Sequence, residues 1–226
     1  MNPHEFWQEL HPPKTFQPAR EFSDSYPVTI ADGRQLLLPV RPLADGNGAL
    51  ASLIINQASF DVVDALAEDV ANSLSAFRPE IIVGLPTLGL TLASAVARAL
   101  GHHRYVALGT SRKFWYREEL SVPLSSITTP AQQKRLYIDP RMPPLLADKR
   151  VVLVDDVIST GSSIASGLNL LAGCGVEPVA IAAAMLQTER WRQTLATVAP
   201  CWPGRVVGAF STPLLQRSDK GDWIAD

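Results

Sequence analysis

Cysteine is almost missing from this chain: among 226 residues only Cys174 and Cys201 carry a thiol. Two cysteines at that separation make neither a disulfide framework nor a metal-ligand spacing, so a stapled secreted scaffold and a zinc module are both excluded. Histidine is also scarce, and His4, His11, His102 and His103 show no ligand spacing. His102 and His103 follow Gly101 at a helix end, where cations are mildly favourable, and read as structural. No run of about 18 apolar residues occurs, and no basic segment leads into an apolar one at the start, so neither a membrane span nor an export signal is expected. Excess charge is missing as well: 20 Lys and Arg against 22 Asp and Glu leave −2. Nothing global therefore draws the chain to nucleic acid or to an anionic membrane, and any polyanion must be met by a local site. The glycines form neither the dinucleotide fingerprint nor the P-loop, which removes the main warrant for nicotinamide or nucleoside-triphosphate binding. No internal repeat or low-complexity segment is visible. The expectation is a protein of the reducing cytoplasm, 46% hydrophobic, long enough for one full core and too short for two generous domains.

What the chain does contain is organised around Val151 to Ser163, the run Val-Val-Leu-Val-Asp-Asp-Val-Ile-Ser-Thr-Gly-Ser-Ser. Four branched apolar residues read as a strand buried on both faces, and Asp155 and Asp156 stand where it should emerge. Open α/β sheets bind ligands at that end. Ser159, Thr160, Gly161, Ser162 and Ser163 then lead into helical spacing from Ile164 to Ala172. Such a turn aims backbone N–H groups and hydroxyls at one spot on a positive helix end, a phosphate cradle beside a carboxylate pair. The bland alternative makes one aspartate a helix cap and the other a solvated strand end.

On either side the chain alternates as a parallel sheet requires. Met1 to Asp24 reads as an arm, Val28 to Val40 as a β-hairpin turning at Ala31-Asp32-Gly33-Arg34, and Arg41 to Gly48 as a connector. Phe60, Val63, Leu66, Val70 and Leu74 recur at helical spacing, which predicts an amphipathic helix over Phe60 to Phe77. Strands follow at Ile81 to Val83, Tyr105 to Leu108, Val179 to Leu186 and Val206 to Phe210, with helices at Leu90 to Leu100 and Glu189 to Val198 between them. Thr110 to Lys149 interrupts the pattern, and long irregular insertions in compact domains are usually functional or disordered. It holds Ser111-Arg112-Lys113-Phe114-Trp115-Tyr116, more cation and aromatic than a passive linker needs. A solvated surface role for Arg112 and Lys113 remains the alternative.

A second strand-to-helix turn lies at Gly84-Leu85-Pro86-Thr87-Leu88-Gly89 and offers another anion site at the same sheet edge. Two phosphate sites flanking two carboxylates suit a sugar with phosphate at both ends. Otherwise the glycines only permit a tight turn and Thr87 caps the helix.

Val151 to Ser163 resembles the phosphoribosyl pyrophosphate (PRPP) signature of the type I phosphoribosyltransferases, and the likeness extends over roughly Phe60 to Phe210. It implies an α/β fold of that type: a central, mostly parallel sheet flanked by helices, a small N-terminal hood over residues 1–58, and a core over 59–226 with a long mobile loop at about 110–149. Asp155 and Asp156 would hold the ribose hydroxyls and, through PRPP, a magnesium ion. Val157, Ser159, Thr160, Gly161, Ser162 and Ser163 would wrap the 5′-phosphate; Ser162 stands where the family often has glycine, which its φ permits if negative. Pro86, Thr87, Leu88 and Gly89 resemble the pyrophosphate loop. Ser111-Arg112-Lys113 is similar to the Ala-Arg-Lys of adenine and xanthine phosphoribosyltransferases, making Arg112 and Lys113 catalytic cations. Ile54-Ile55-Asn56-Gln57 resembles a xanthine-type segment whose asparagine, here Asn56, contacts the base. The lysine such enzymes offer to the base is replaced by Gln187-Thr188. The resemblance implies transfer of phosphoribose from PRPP to a nucleobase, a purine by the Arg-Lys pair, in purine salvage by a homodimer. The competing reading is a PRPP-sensing regulator without transferase activity, although Met1 to Leu50 offers no helix-turn-helix or basic face. A PRPP synthetase-like chain would need an ATP site, and none is visible.

Overall fold

The computed structural model describes residues 1–17, 19–124 and 134–225. The N-terminal part carries β1 (Glu21–Phe22), β2 (Ser25–Thr29), β3 (Gln35–Pro42) and β4 (Gly48–Ala51). The helical part opens with α1 (Phe60–Leu74), followed by β5 (Ile81–Gly84), α2 (Gly89–Ala99), β6 (Val106–Ala107), β7 (Ser121–Pro123), β8 (Arg135–Tyr137) and α3 (Pro143–Leu146). Then come β9 (Val151–Ile158), α4 (Ser162–Gly173), β10 (Ala180–Gln187), α5 (Arg190–Val198), β11 (Val206–Thr212), β12 (Leu214–Arg217) and β13 (Trp223–Ala225).

Five of these strands form one parallel sheet in the order β11-β10-β9-β5-β6. Its middle strands are continuous apolar runs because both faces are covered. Val152 and Val154 face the core built with α1 and α2, while Val151 and Leu153 face the core that receives Ile164, Leu168 and Leu171 of α4 and Trp191 of α5. Successive side chains of β9 thus serve opposite layers, as the two-residue strand period demands.

A second, antiparallel sheet, β1-β13-β12-β4-β3-β2, is assembled from both ends of the chain. The hairpin read over Val28 to Val40 is there, with Thr29 opposite Gln35 and Gly33 at φ +89°. The arm before it is strapped down: Phe6 and Trp7 are buried, and the Trp7 indole N–H donates to the Ser52 carbonyl at 3.0 Å.

The structure corrects three local expectations. Phe60 does not join the buried stripe of α1 but is 86% exposed, while Val62, Val63, Leu66, Val70 and Leu74 are buried. It is the first residue of the helix, and side chains there tilt toward the N-terminus, past the edge of the core. α1 itself ends at Leu74, and Ser75–Phe77 tightens into a 3-10 turn. The third concerns the insertion: β8, the residue after it and α3 bring Leu136, Ile138 and Leu146 into the core beside α4. The centre of the expected mobile loop, 125–133, lies outside the described residues. Among the described residues no helix is long and apolar enough to cross a membrane.

Candidate active site

The winding of the parallel sheet reverses between β5 and β9, because the chain places β6 beyond β5 on one side and returns to place β9 on the other. Helices leaving the two strands diverge there, which opens a crevice at their carboxyl ends. Register deepens it. β5 stops at Gly84, opposite Val154, whereas β9 continues along β10 to Ile158, with Asp155 opposite Ala183. Asp155 and Asp156 are therefore strand residues, one step further into the sheet than a strand ending at Val154 predicts, and they border the crevice with no β5 partner beside them.

The turn after β5 closes over this pair. A Cβ added to Gly89 would stand 2.6 Å from Asp155 Oδ1 and 2.8 Å from its Cα, so only glycine lets the start of α2 approach so closely. Pro86, Thr87 and Leu88 lead into that contact, and the Pro86–Thr87 peptide is cis. Thr87 is exposed, and no side chain caps α2. The same holds at α4, whose N-cap is Gly161 at φ +80° with no side-chain cap. α1, by contrast, is capped by Ser59, whose hydroxyl accepts from the Val62 N–H at 3.3 Å. At α4 the Ser162 N–H reaches the Thr160 hydroxyl only at 3.4 Å, so both helix ends at the crevice stay weakly satisfied, where an anion is most favourable.

Around Gly161 the hydroxyls converge: Thr160 Oγ1 and Ser162 Oγ are 3.0 Å apart, and Ser159 and Ser163 flank them. Ser162 opens α4, and Gly161 carries the turn's positive φ. A Cβ on Gly161 would also meet the Trp191 backbone at 3.3 Å, which fits the loop tightly to the start of α5.

Asp155 is 8% exposed and Asp156 half-buried. Burial first, and then the adjacent Asp156 charge, push the Asp155 carboxyl well above its ordinary range; burial pushes Asp156 up too. Neither Arg112 nor Lys113 acts on the pair. Both cations are exposed on the loop after β6, where Arg112 pairs with Glu118 at 3.5 Å, and Glu118 also holds Arg135 at 3.0 Å. The structure thus sets Gly89 against Asp155, with the Ser159–Ser163 loop following on the same strand end, and pairs Arg112 with Glu118 rather than with either acid. Asn56 is exposed on a 3-10 turn, Ile55–Gln57, just before α1.

Sequence reading missed a cavity of about 650 Å3 where β10 and β11 end beneath β12. Thr188, Glu189, Arg190, Ser211, Thr212 and Gln216 are among its walls. Thr212 is 3% exposed and its Oγ1 has no hydrogen-bond partner. Gln187, standing near the place of the expected lysine, ties β10 to β4 instead, because its buried amide donates to the Ala51 carbonyl at 2.7 Å. A cavity formed by segments so far apart in sequence leaves no local motif.

Among the described residues no group of three or more His, Cys, Asp or Glu is placed to hold a metal. Two carboxylates with no third partner suit an ion that arrives with phosphate oxygens, the usual manner of magnesium, rather than a dedicated protein cage.

A family model described as phosphoribosyl transferase domain matches residues 50–208. An adenine phosphoribosyltransferase of Frankia alni is 35% identical over 136 residues, covering 60% of this chain and 67% of that protein. The bifunctional protein PyrR 2 of Lactiplantibacillus plantarum is 35% identical over 113 residues, 50% of this chain and 60% of its own length. The chain thus spans about two thirds or less of these relatives. Among solved structures, the adenine phosphoribosyltransferase of Giardia lamblia aligns with a TM-score of 0.58 at 18% identity, covering 83% of this chain and 93% of that one. The enzyme from Thermoanaerobacter pseudethanolicus aligns at 0.53, with 67% and 81% covered. At such identity the structures speak to the fold.

Proposed function

This chain belongs to the phosphoribosyltransferase family, whose enzymes are pentosyltransferases, and from that premise we propose that it transfers the 5-phosphoribosyl group of PRPP to a purine base. One observation carries the proposal: Asp155 and Asp156 sit at the sheet's switch point beside two helix N-termini, one opening at Gly89 against Asp155 and one opening after Gly161. In this reading the carboxylates accept hydrogen bonds from the ribose 2′- and 3′-hydroxyls, the strongest acceptors available for them. The loop from Ser159 to Ser163 holds the 5′-phosphate, with Val157 beneath it on β9, and Pro86 to Gly89 receive the pyrophosphate. A base nitrogen attacks C1′ as the bond from C1′ to the pyrophosphate oxygen breaks, pyrophosphate leaves with that electron pair, and the imidazole N–H proton of the base passes to water or to the departing pyrophosphate. The ribose ring is oxocarbenium-like in between, so the chain mainly has to align the reactants and answer the charge. Magnesium carried by PRPP supplies charge neutralisation on the leaving group. Arg112 and Lys113 meet the same charge as it builds up.

The base is assigned to the cavity beneath β12, where the Thr188 hydroxyl accepts from the Arg190 N–H and keeps its own O–H to donate, and Asn56 is a further contact. Support for a purine comes from the Arg112-Lys113 pair and from the adenine-specific name of the Frankia relative. Function as a cytoplasmic homodimer in purine salvage completes the proposal; light scattering tests the dimer.

The test is pyrophosphate release from saturating magnesium PRPP with adenine, guanine, hypoxanthine, xanthine, uracil and orotate. A site that hydrogen-bonds a base edge rejects the wrong edge by about 10⁴–10⁵. One or two purines should stand far above the rest, with the ranking blurred by Asn56→Ala. Turnover of uracil or orotate alone would overturn the purine assignment and leave the transferase.

A further inference from the structure

From Thr110 to Trp115 every residue is exposed, so the segment bearing Arg112 and Lys113 has no core packing of its own. Besides the exposed Arg112–Glu118 ion pair at 3.5 Å, it is held at its end. The Trp115 indole N–H donates to Asp139 Oδ2 at 3.2 Å, the Arg141 guanidinium lies 5.7 Å from the Trp115 ring centroid, and Tyr116 leans on Tyr137 at 6.0 Å. Asp139 stands between β8 and α3 and is 9% exposed. Three donors from Arg141 fix its carboxylate: the backbone N–H at 2.9 Å, Nε at 2.9 Å and Nη2 at 2.6 Å. These bonds, led by those from the Arg141 side chain, hold the Asp139 carboxyl well below the usual range, so it stays an acceptor throughout the physiological pH span. Asp139 shapes the turn before α3, where it accepts from the Arg141 N–H, and its Oδ2 also reaches outward to a tryptophan that is itself 44% exposed. That outward contact fixes the direction in which the chain leaves Trp115 toward Lys113, two residues away.

We propose that Asp139 is a positioning residue, which acts through Trp115 to orient Arg112 and Lys113 toward the leaving pyrophosphate. This rests on the reading that those cations serve the transfer step. Misplacing a reacting group by about an ångström can cost on the order of a hundredfold in rate. Losing one anchoring hydrogen bond should cost less, and in kcat rather than in PRPP affinity, because cations that answer developing charge act in the transition state.

The experiment is a mutant cycle on the full chain, using the purine it turns over best. Trp115→Phe keeps a ring for Arg141 and removes only the N–H. It should lower kcat about tenfold while KM for PRPP stays within about twofold, and Asp139→Asn should do the same. In an Arg112→Ala/Lys113→Ala background, Trp115→Phe should change kcat by less than about twofold, since the groups it orients are gone. Trp7, Trp191, Trp202 and Trp223 are buried, so the emission lost in Trp115→Phe belongs to Trp115, and Asp139→Asn should shift that component. A wild-type kcat in Trp115→Phe with an impaired Arg112→Ala/Lys113→Ala enzyme overturns the inference and spares the role of the cations. Additive losses overturn it as well. A wild-type rate in Arg112→Ala/Lys113→Ala overturns both. If Asp139→Asn fails to fold, Trp115→Phe decides alone.

Discussion

A carboxyl sealed beneath Gly89 and beside a second acid, as Asp155 is, costs the folded chain stability. The sign follows from linkage. The unfolded Asp155 titrates near 3.9, and the folded one above that, so between the two values the folded chain holds a proton that the unfolded chain has lost. Stability therefore falls as pH rises from about 4 toward neutral through this group. Asp155→Asn removes this group's share of the decline, leaving that of Asp156, and its ligand-free Tm at pH 7 should exceed that of the wild type, by about 2–4 °C for each kcal/mol recovered. A lower Tm, measured by calorimetry across that pH range, would contradict the burial argument. Gly89 sets the reverse case. Gly89→Ala forces a methyl group onto Asp155 Oδ1 and should destabilise the protein by about 1–3 kcal/mol in urea, together with a PRPP affinity loss of at least about tenfold. Unchanged affinity would mean that the turn before α2 does not govern the carboxylates.

Between elements, the ties that hold the two sheets against each other matter most, and Gln187 is one of them. Its replacement by alanine leaves the Ala51 carbonyl without its partner, which should cost about 1–3 kcal/mol. β12 forms one wall of the cavity at the ends of β10 and β11 and pairs with β4, so the same change should raise KM for the base more than KM for PRPP. Equal effects on both would detach the cavity from the base. The sequence made the parallel strands legible because burial on both faces leaves uninterrupted apolar runs, as in Val151 to Val154. β12 and β13 were not legible for the converse reason. Each is a three- or four-residue stretch with a single buried side chain, Leu215 or Trp223; the two pair with each other, and their outer partners, β4 and β1, lie far away in sequence. Phe60 misled for a third reason: helical spacing assigns it a face, and only the end of the core decides whether that face is covered there.

At the scale of the whole molecule, the parallel sheet delivers two helix N-termini and two acids to one crevice, and the antiparallel sheet borders the cavity assigned to the base. The acids and the hydroxyl loop were legible because they are contiguous in the chain, from Asp155 to Ser163. The cavity was not, since Thr188 and Thr212 meet only through the pairing of β10 with β11. The most direct test of the central claim is base-dependent pyrophosphate release, compared between the wild type and Asp155→Asn/Asp156→Asn. The two substitutions each remove charge-assisted hydrogen bonds worth about 1.5–3 kcal/mol, so PRPP binding by calorimetry should weaken at least about tenfold, and release should fall with it. The wild type should free pyrophosphate only when a purine is present. Tight PRPP binding with no release on any base would contradict the transferase reading and make the chain a sensor of PRPP instead.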